Sequence, residues 1–168
     1  MSALTWTGGT VVREKRHRLA AVTYRGIKVV SFTANVKCRT HFFTTVDRFK
    51  AFEEMLLRSL KRFECGSDVY LFMPDHAHLM LRGVTESSDV LRAMKLFKQL
   101  SGFWLSQNHP TVRWQKDFYD HIVRDEDETG RHIRYILNNP VKQGLVRHWK
   151  DYPFMGSTLL DLGALLRS

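Results

Sequence analysis

The order of hydrophobic patterns along this chain predicts an α+β fold: a four-stranded antiparallel sheet with two helices on one face and a further helix towards the C-terminus. Apolar and polar residues alternate in four segments, and apolar residues recur at helical spacing between them. The elements follow in the order strand, helix, strand, strand, helix, strand, helix. The first six have the order of a ferredoxin-like (RRM-like) domain, to which the last helix is added.

The four strands are predicted from alternation and from the residues that interrupt it. Residues 27–36 alternate as a half-buried strand does. Residues 68–73 are rich in β-forming residues, Pro74-Asp75 interrupts them, and residues 76–82 resume the alternation. The short connection predicts an antiparallel hairpin. Residues 112–124 alternate more weakly and supply the fourth strand.

Three helices are predicted from apolar stripes and from terminal signals. The first follows Asp47, a candidate N-cap, and its stripe consists of Phe49, Phe52, Leu56, Leu60 and Phe63. The second begins after the candidate caps at 87–89 and ends before Pro110. The third begins in the acidic run 125–128, whose charges suit a helix N-terminus, and ends at residues 138–140.

The positive charge is concentrated in the first part of the chain. Residues 1–62 carry 13 Lys and Arg against 4 Asp and Glu, whereas residues 63–168 carry 13 of each sign, so the first part holds the whole net charge of +9. This asymmetry favours nucleic acid as a partner, and a basic tail that only keeps the protein soluble is the alternative. The candidate DNA-binding residues here are Arg13, Lys15, Arg16 and Arg18.

The length of 168 residues suits one compact domain with tails. We expect a basic N-terminal arm over residues 1–24, the folded domain over 25–157 and an apolar C-terminal tail over 158–168. The two cysteines are too few for a disulfide framework, and no apolar run approaches the ~18 residues that span a bilayer. With no secretory signal pattern at the N-terminus, these features predict a cytoplasmic protein with no membrane partner.

The first group of chemically competent residues is the pair His76 and His78. Side chains at positions i and i+2 of a strand project from the same face, so both imidazoles can reach one metal ion. Paired histidines on a surface without any role are the alternative. Asp75 adds a carboxylate, although a turn role beside Pro74 is the simpler interpretation.

The second group lies on the third helix. Ile133, Ile136 and Leu137 form its apolar stripe, while Tyr135 and Asn139 lie one turn apart on roughly the opposite side. A tyrosine that merely packs with its hydroxyl in solvent is the alternative to a functional one. The position of Tyr135 off the stripe favours a functional role.

Tyr119 is a rival candidate because it lies beside Asp120 and His121 in the fourth strand. Strand alternation, however, places His121 on the face of Tyr119 and Asp120 on the other face. We therefore favour Tyr135 over Tyr119. Arg124, which follows this segment, is a candidate phosphate-binding residue.

Three blocks of residues at characteristic spacing carry a family resemblance: LFMPDHAHL at 71–79, FYDHIVRD at 118–125 and YILNNPVKQGLV at 135–146. Together with flanking similarity over about residues 30–157, they resemble the REP-associated tyrosine transposases, which belong to the single-tyrosine HUH transposases. Several ordered motifs at such spacing are far more specific than any one of them.

The resemblance implies a divalent metal, Mg²⁺ or Mn²⁺, held by His76 and His78, with Asn139 completing or supporting the metal site. It also implies a nucleophile at Tyr135 that forms a covalent 5′-phosphotyrosine with DNA. The expected partner is single-stranded or hairpin DNA, and the protein would act as a monomer or a homodimer.

Two other functions compete with a DNA transposase. One is a protein of the same fold that binds a DNA hairpin without cleaving it. The other is a generic RRM-like RNA binder, but the sequence lacks the aromatic RNP motif of that class. The presence of both histidines, Tyr135 and Asn139 favours the transposase.

Overall fold

The computed structural model describes residues 18–165. Five strands are formed, β1 Val29–Asn35, β2 Cys65–Met73, β3 His76–Gly83, β4 Tyr119–Val123 and β5 Met155–Gly156. The helices are α1 Val46–Arg62, α2 Val90–Asn108, α3 Glu126–Leu137, α4 Asn139–Lys142 and α5 Leu162–Leu165. Among the described residues, no helix combines the length and the apolar character needed to cross a bilayer.

The strands form one antiparallel sheet in the order β4-β1-β3-β2-β5. The predicted α+β class and its first six elements are confirmed, but the sheet has five strands rather than four. The additional strand, β5, pairs only Met155 and Gly156 with β2. Two residues are too few to produce a periodic pattern, so this strand could not be read from alternation.

The β2–β3 hairpin is as tight as predicted. Met73 pairs directly with His76, which leaves Pro74 and Asp75 as the turn. Backbone N–H groups of the preceding loop hold this turn in place, because Phe42 and Phe43 donate to the carbonyl of Pro74 at 2.6 and 3.0 Å. The strand that carries the paired histidines therefore begins at a well-anchored corner.

The helices lie on both faces of the sheet. Phe72 of β2 contacts Phe52 of α1 and Phe97 of α2, so these two helices cover one face. His78 of β3 projects to the other face, where its ring lies 6.3 Å from that of Tyr135 in α3. The sheet is thus sandwiched between the α1/α2 pair and α3, the helix that carries the predicted nucleophile.

The helix termini follow the expected chemistry with one correction. Thr45, not Asp47, caps α1, since its hydroxyl accepts a hydrogen bond from the backbone N–H of Arg48. Asp47 lies inside the first turn, where its charge still suits the helix N-terminus. Asp89 caps α2 and Asp125 caps α3, both within the predicted boundaries.

Both chain ends of the described region pack on the domain. Tyr24 is fully buried and donates a 2.6 Å hydrogen bond to Asp120, so residues 18–24, expected to belong to a basic arm, are docked. At the other end, Thr158 exchanges hydrogen bonds with the backbone of Ser67 in β2. The expected boundary at residue 158 therefore lies in a segment that follows the sheet edge.

Candidate active site

The paired histidines of β3 face α3 with their ring nitrogens together. The Nε2 atoms of His76 and His78 are 3.1 Å apart, and the rings are almost perpendicular. His78 is 8% exposed, whereas His76 is partly open to solvent. The i, i+2 spacing has therefore brought two potential ligands to one point, as predicted.

Hydrogen bonds at the opposite ring nitrogens orient both imidazoles. His76 Nδ1 donates to Asp75 Oδ1 at 2.6 Å, because a carboxylate only accepts. His78 Nδ1 lies 3.2 Å from the hydroxyl of Thr33, its neighbour in β1. Each Nδ1 thus has a polar partner while each Nε2 faces the other ring, and metal-binding histidines are oriented by such contacts at the second ring nitrogen.

The electrostatics keep these groups in the charge states that ligands need. Burial, reinforced by the charge of His76, holds the pKa of His78 well below its usual value, so this ring is neutral at pH 7. Burial raises the pKa of Asp75, but the hydrogen bond and charge of His76 and the charge of Arg39 outweigh it and lower this pKa. Asp75 is therefore an ionised partner for His76.

The spacing of the two rings fits one shared cation. Two nitrogens that each bind a metal at about 2.1 Å, at angles near 90–110°, lie roughly 3.0–3.4 Å apart. The observed 3.1 Å falls in that interval. Imidazole suits Mn²⁺ and other transition metals better than Mg²⁺, which prefers oxygen ligands.

Tyr135 lies beside this pair on α3. Its ring centroid is 6.3 Å from that of His78 and 6.5 Å from that of His132. Lys142 Nζ lies 4.4 Å from the centroid of the Tyr135 ring. The residue is half-buried, so its ring is fixed while DNA can still approach. Lys142 thus makes a cation–π contact with the Tyr135 ring.

Asn139 connects to Tyr135 as one turn of spacing predicts. Its amide nitrogen donates to the backbone carbonyl of Tyr135 at 3.1 Å, and its side chain also interacts with the Tyr135 hydroxyl. Burial raises the pKa of Tyr135, and the hydrogen bond with Asn139 offsets part of that rise. His76, His78, Tyr135 and Asn139 thus form one group, hereafter the His-Tyr cluster.

Tyr119 occupies the neighbouring strand but is more enclosed. It pairs with Thr33 and is 7% exposed. Asp120 points to the other face, where it accepts hydrogen bonds from Tyr24 and Arg18. The alternation predicted for this segment is confirmed, and Tyr119 is less accessible to a polymeric substrate than Tyr135.

The candidate DNA-binding residues have different surroundings. Arg13, Lys15 and Arg16 lie outside the described residues. Arg18 pairs with Asp120 at 2.9 Å and stacks over Phe118 at 3.9 Å, so its charge is engaged within the protein. Arg124 is exposed immediately before the cap of α3.

Arg39 is a site residue that the sequence did not reveal. Its Nε lies 2.9 Å from Asp75 Oδ2, and its guanidinium also donates to the side chain of Asn35. Cys38 and Arg39 both have positive φ, 58° and 53°, a conformation that is uncommon outside glycine. Backbone strain beside the His-Tyr cluster therefore directs Arg39 onto the carboxylate that orients His76, which no local sequence pattern signals.

A second group of ligand-type side chains was also missed. His121 Nε2 lies 2.6 Å from Glu128 Oε1, and the His121 ring stacks on that of His132 with centroids 5.2 Å apart. One ligand atom from each residue lies within 4.8 Å of the others. These residues, hereafter the second cluster, come together only when β4 packs against α3.

Comparison with known proteins defines the class of this chain. The family model described as "Transposase IS200 like" matches residues 28–139, which make up most of the chain and contain the entire His-Tyr cluster. The chain therefore belongs to the IS200-like transposase family.

Individual relatives refine this class. Proteins of Haemophilus influenzae and Escherichia coli that bear the name REP-associated tyrosine transposase are 27% and 25% identical over 135 and 126 residues. The first alignment covers 73% of this chain and 76% of the relative, and the second covers 73% and 72%. The family resemblance predicted from the sequence is confirmed.

A solved structure shares the fold. It is a REP-associated tyrosine transposase bound to a REP hairpin, and it superposes with a TM-score of 0.65 at 21% identity. The match covers 84% of this chain and 82% of the other.

Proposed function

We propose that this transposase cleaves and rejoins single-stranded DNA next to a hairpin or repeat, through a covalent 5′-phosphotyrosine at Tyr135. The observation that carries the proposal is the position of the Tyr135 ring, 6.3 Å from the ring of His78 and hydrogen-bonded to Asn139. A tyrosine beside two imidazoles that are oriented by Asp75 and Thr33 supports attack on a phosphodiester at this point.

The chemical step exchanges one phosphodiester for another. The Tyr135 hydroxyl oxygen attacks the phosphorus, the bond to the 3′ oxygen breaks, and the proton lost by the phenol is balanced by the one gained at the released 3′ hydroxyl. A DNA 3′ hydroxyl reverses the reaction by attacking the phosphotyrosine. Because the number of ester bonds is unchanged, cutting and rejoining need no ATP.

His76, His78 and the amide oxygen of Asn139 are the residues that would hold a divalent metal. Mn²⁺ or Mg²⁺ there would polarise the scissile phosphate and stabilise the charge that develops on it. The protein's own contribution is orientation: Asp75 and Thr33 fix the two rings, and Asn139 fixes the phenol of Tyr135. Lys142 adds a cation–π contact that helps to hold the Tyr135 ring.

Hairpin DNA is the substrate class that we infer, because the solved relative is described as bound to a REP hairpin. The net charge of +9 agrees with a nucleic-acid partner. Arg124 is a candidate phosphate contact, since it is exposed beside the helix that carries Tyr135.

Covalent trapping on a denaturing gel tests the proposal. The protein is incubated with Mn²⁺ and a labelled DNA hairpin that carries a single-stranded flank. We expect a protein–DNA adduct that EDTA prevents and that a fully duplex control does not form. Hairpin binding without any adduct would instead assign the protein to the non-cleaving class.

A further inference from the structure

The second cluster lies next to Tyr135 but uses none of the residues of the His-Tyr cluster. His121 comes from β4, and Glu128 and His132 come from the first and second turns of α3. The ring of His132 is 6.5 Å from that of Tyr135, which places this cluster at the nucleophile.

The spacing of the second cluster is that of a three-ligand cation site. Glu128 and His132 are four residues apart on α3, so they lie on one side of the helix, and His121 faces them from the strand. Ligands of one ion at about 2.1 Å are at most about 4.2 Å apart. The ligand atoms lie within 4.8 Å of one another, so binding one shared ion would require the side chains to move closer together.

The charge states of the second cluster suit ligation. The backbone N–H of Arg124 and the ring of His121 lower the pKa of Glu128, so its carboxylate is ionised. Burial, with the charge of His121, lowers the pKa of His132 and leaves a neutral ring with a free lone pair at neutral pH. The side chain of His121 is 44% exposed, which leaves room for water or a phosphate oxygen as a further ligand.

We infer that His121, Glu128 and His132 form a second divalent-metal site, for a borderline ion such as Zn²⁺ or Mn²⁺. Two imidazoles and one carboxylate with an open position are a ligand set that Zn²⁺ accepts and Mg²⁺ does not favour. A metal at this site ties β4 to α3 and fixes the helix that bears Tyr135. A hydrogen bond between His121 and Glu128 that only supports the helix cap is the competing interpretation.

Metal stoichiometry tests this inference without any readout of DNA cleavage. The full-length protein is stripped with a chelator and titrated with Zn²⁺ in a calorimeter. We expect two equivalents for the wild type and one for His76→Ala/His78→Ala, which retains only the second cluster. In the reverse arm, His121→Ala/His132→Ala should also bind one equivalent. Neither result depends on whether the protein cleaves DNA, so the inference can fail while the proposed function stands.

A conservative variant separates a ligand from a helix-capping residue. Glu128→Gln keeps an oxygen that can accept from Arg124 N–H but loses the charge. It should lower the Zn²⁺ affinity of the second cluster at least about tenfold, because loss of outer-shell partners alone can do so. His148→Ala, at an exposed histidine elsewhere, is the matched control and should bind like the wild type. Absence of binding by His76→Ala/His78→Ala while its circular dichroism is native, or unchanged affinity in Glu128→Gln, would overturn the inference.

Discussion

At the scale of single residues, the His-Tyr cluster is held by a chain of polar contacts. Arg39 pairs with Asp75, Asp75 accepts from His76, and His76 faces His78 across 3.1 Å. Each contact fixes the orientation of the next group, so the two Nε2 atoms meet without relying on a mobile side chain. At a metal site, loss of such an outer contact typically lowers metal affinity or activity by about 10- to 100-fold.

Replacing either histidine tests the proposed metal site. We expect His76→Ala and His78→Ala to reduce metal-dependent adduct formation by at least about 100-fold, because metal polarisation of a phosphate supplies several kcal/mol. Circular dichroism should remain native, and His148→Ala should keep full activity. Undiminished adduct formation by either cluster variant would contradict a two-histidine site.

The lowered pKa of His78 predicts how stability depends on pH. Its folded pKa lies below the ordinary histidine value of about 6.5, so the unfolded chain binds more protons as the pH falls through that value. His132 shifts in the same direction. The free energy of unfolding of the metal-free protein should therefore decrease as the pH is lowered from about 8 to about 5.5.

Urea unfolding in the presence of EDTA measures this dependence. His78→Gln removes one titrating ring at similar size, and its unfolding free energy should change less with pH than that of the wild type. A wild-type protein that becomes more stable on acidification over this interval would show that the buried ring is not kept neutral.

At the scale of elements, a buried ion pair joins β2 to β3 beside the first turn of α3. Arg82 of β3 binds both oxygens of Asp68 at 3.1 and 3.0 Å and also reaches Glu126 in the first turn of α3. Burial raises the pKa of Asp68, and the hydrogen bond from Arg82 opposes this rise. The carboxylate therefore depends on its partner.

Breaking this ion pair should destabilise the protein. Arg82→Ala leaves Asp68, which is 3% exposed, without its counter-ion. Loss of one partner of a fully buried pair costs about 3–5 kcal/mol, and we expect roughly 2–3 kcal/mol here because Arg82 keeps 21% side-chain exposure. The measurement is chemical denaturation.

The double variant Asp68→Asn/Arg82→Ala is the control, because it removes the unpaired charge and should regain part of the loss. Equal stability of Arg82→Ala and the wild type would mean that the buried carboxylate of Asp68 does not depend on Arg82.

Local patterns were sufficient to predict the elements that depend on nearest neighbours. The β2–β3 hairpin and the i, i+2 projection of His76 and His78 follow from strand geometry alone. The second cluster could not be predicted, because His121 and His132 meet only through the packing of β4 against α3. Arg39 was missed for a related reason, since its direction depends on two left-handed backbone positions.

At the scale of the whole molecule, the basic first part of the chain divides into two regions. Residues 18–24 dock against β4 through Arg18 and Tyr24, both bound to Asp120. Burial, followed by the hydrogen bond and charge of Asp120, raises the pKa of Tyr24 to about 12. Because Arg18 is engaged by Asp120, the cations of the basic arm that we expect to contact DNA are Arg13, Lys15 and Arg16.

Deleting residues 1–17 tests this division. The deletion removes Arg13, Lys15 and Arg16, and each lost phosphate contact should reduce the slope of log affinity against log salt by about 0.7–0.9. We expect weaker hairpin binding and a slope that is lower by about 2 to 3. Filter binding of labelled hairpin DNA at several salt concentrations measures this slope. An unchanged slope would mean that this segment makes no backbone contacts.

The central claim is that Tyr135 is the nucleophile, and peptide mapping of the trapped adduct tests it most directly. Trypsin separates the two candidates, since Tyr135 falls in the peptide 135–142, or 132–142 if cleavage at Arg134 is blocked, and Tyr119 falls in 117–124. We predict that mass spectrometry finds the nucleotide on the Tyr135 peptide. Tyr135→Phe should bind hairpin DNA normally but form no adduct, whereas Tyr119→Phe should still form it. A nucleotide on the 117–124 peptide, or an adduct formed by Tyr135→Phe, would contradict the claim.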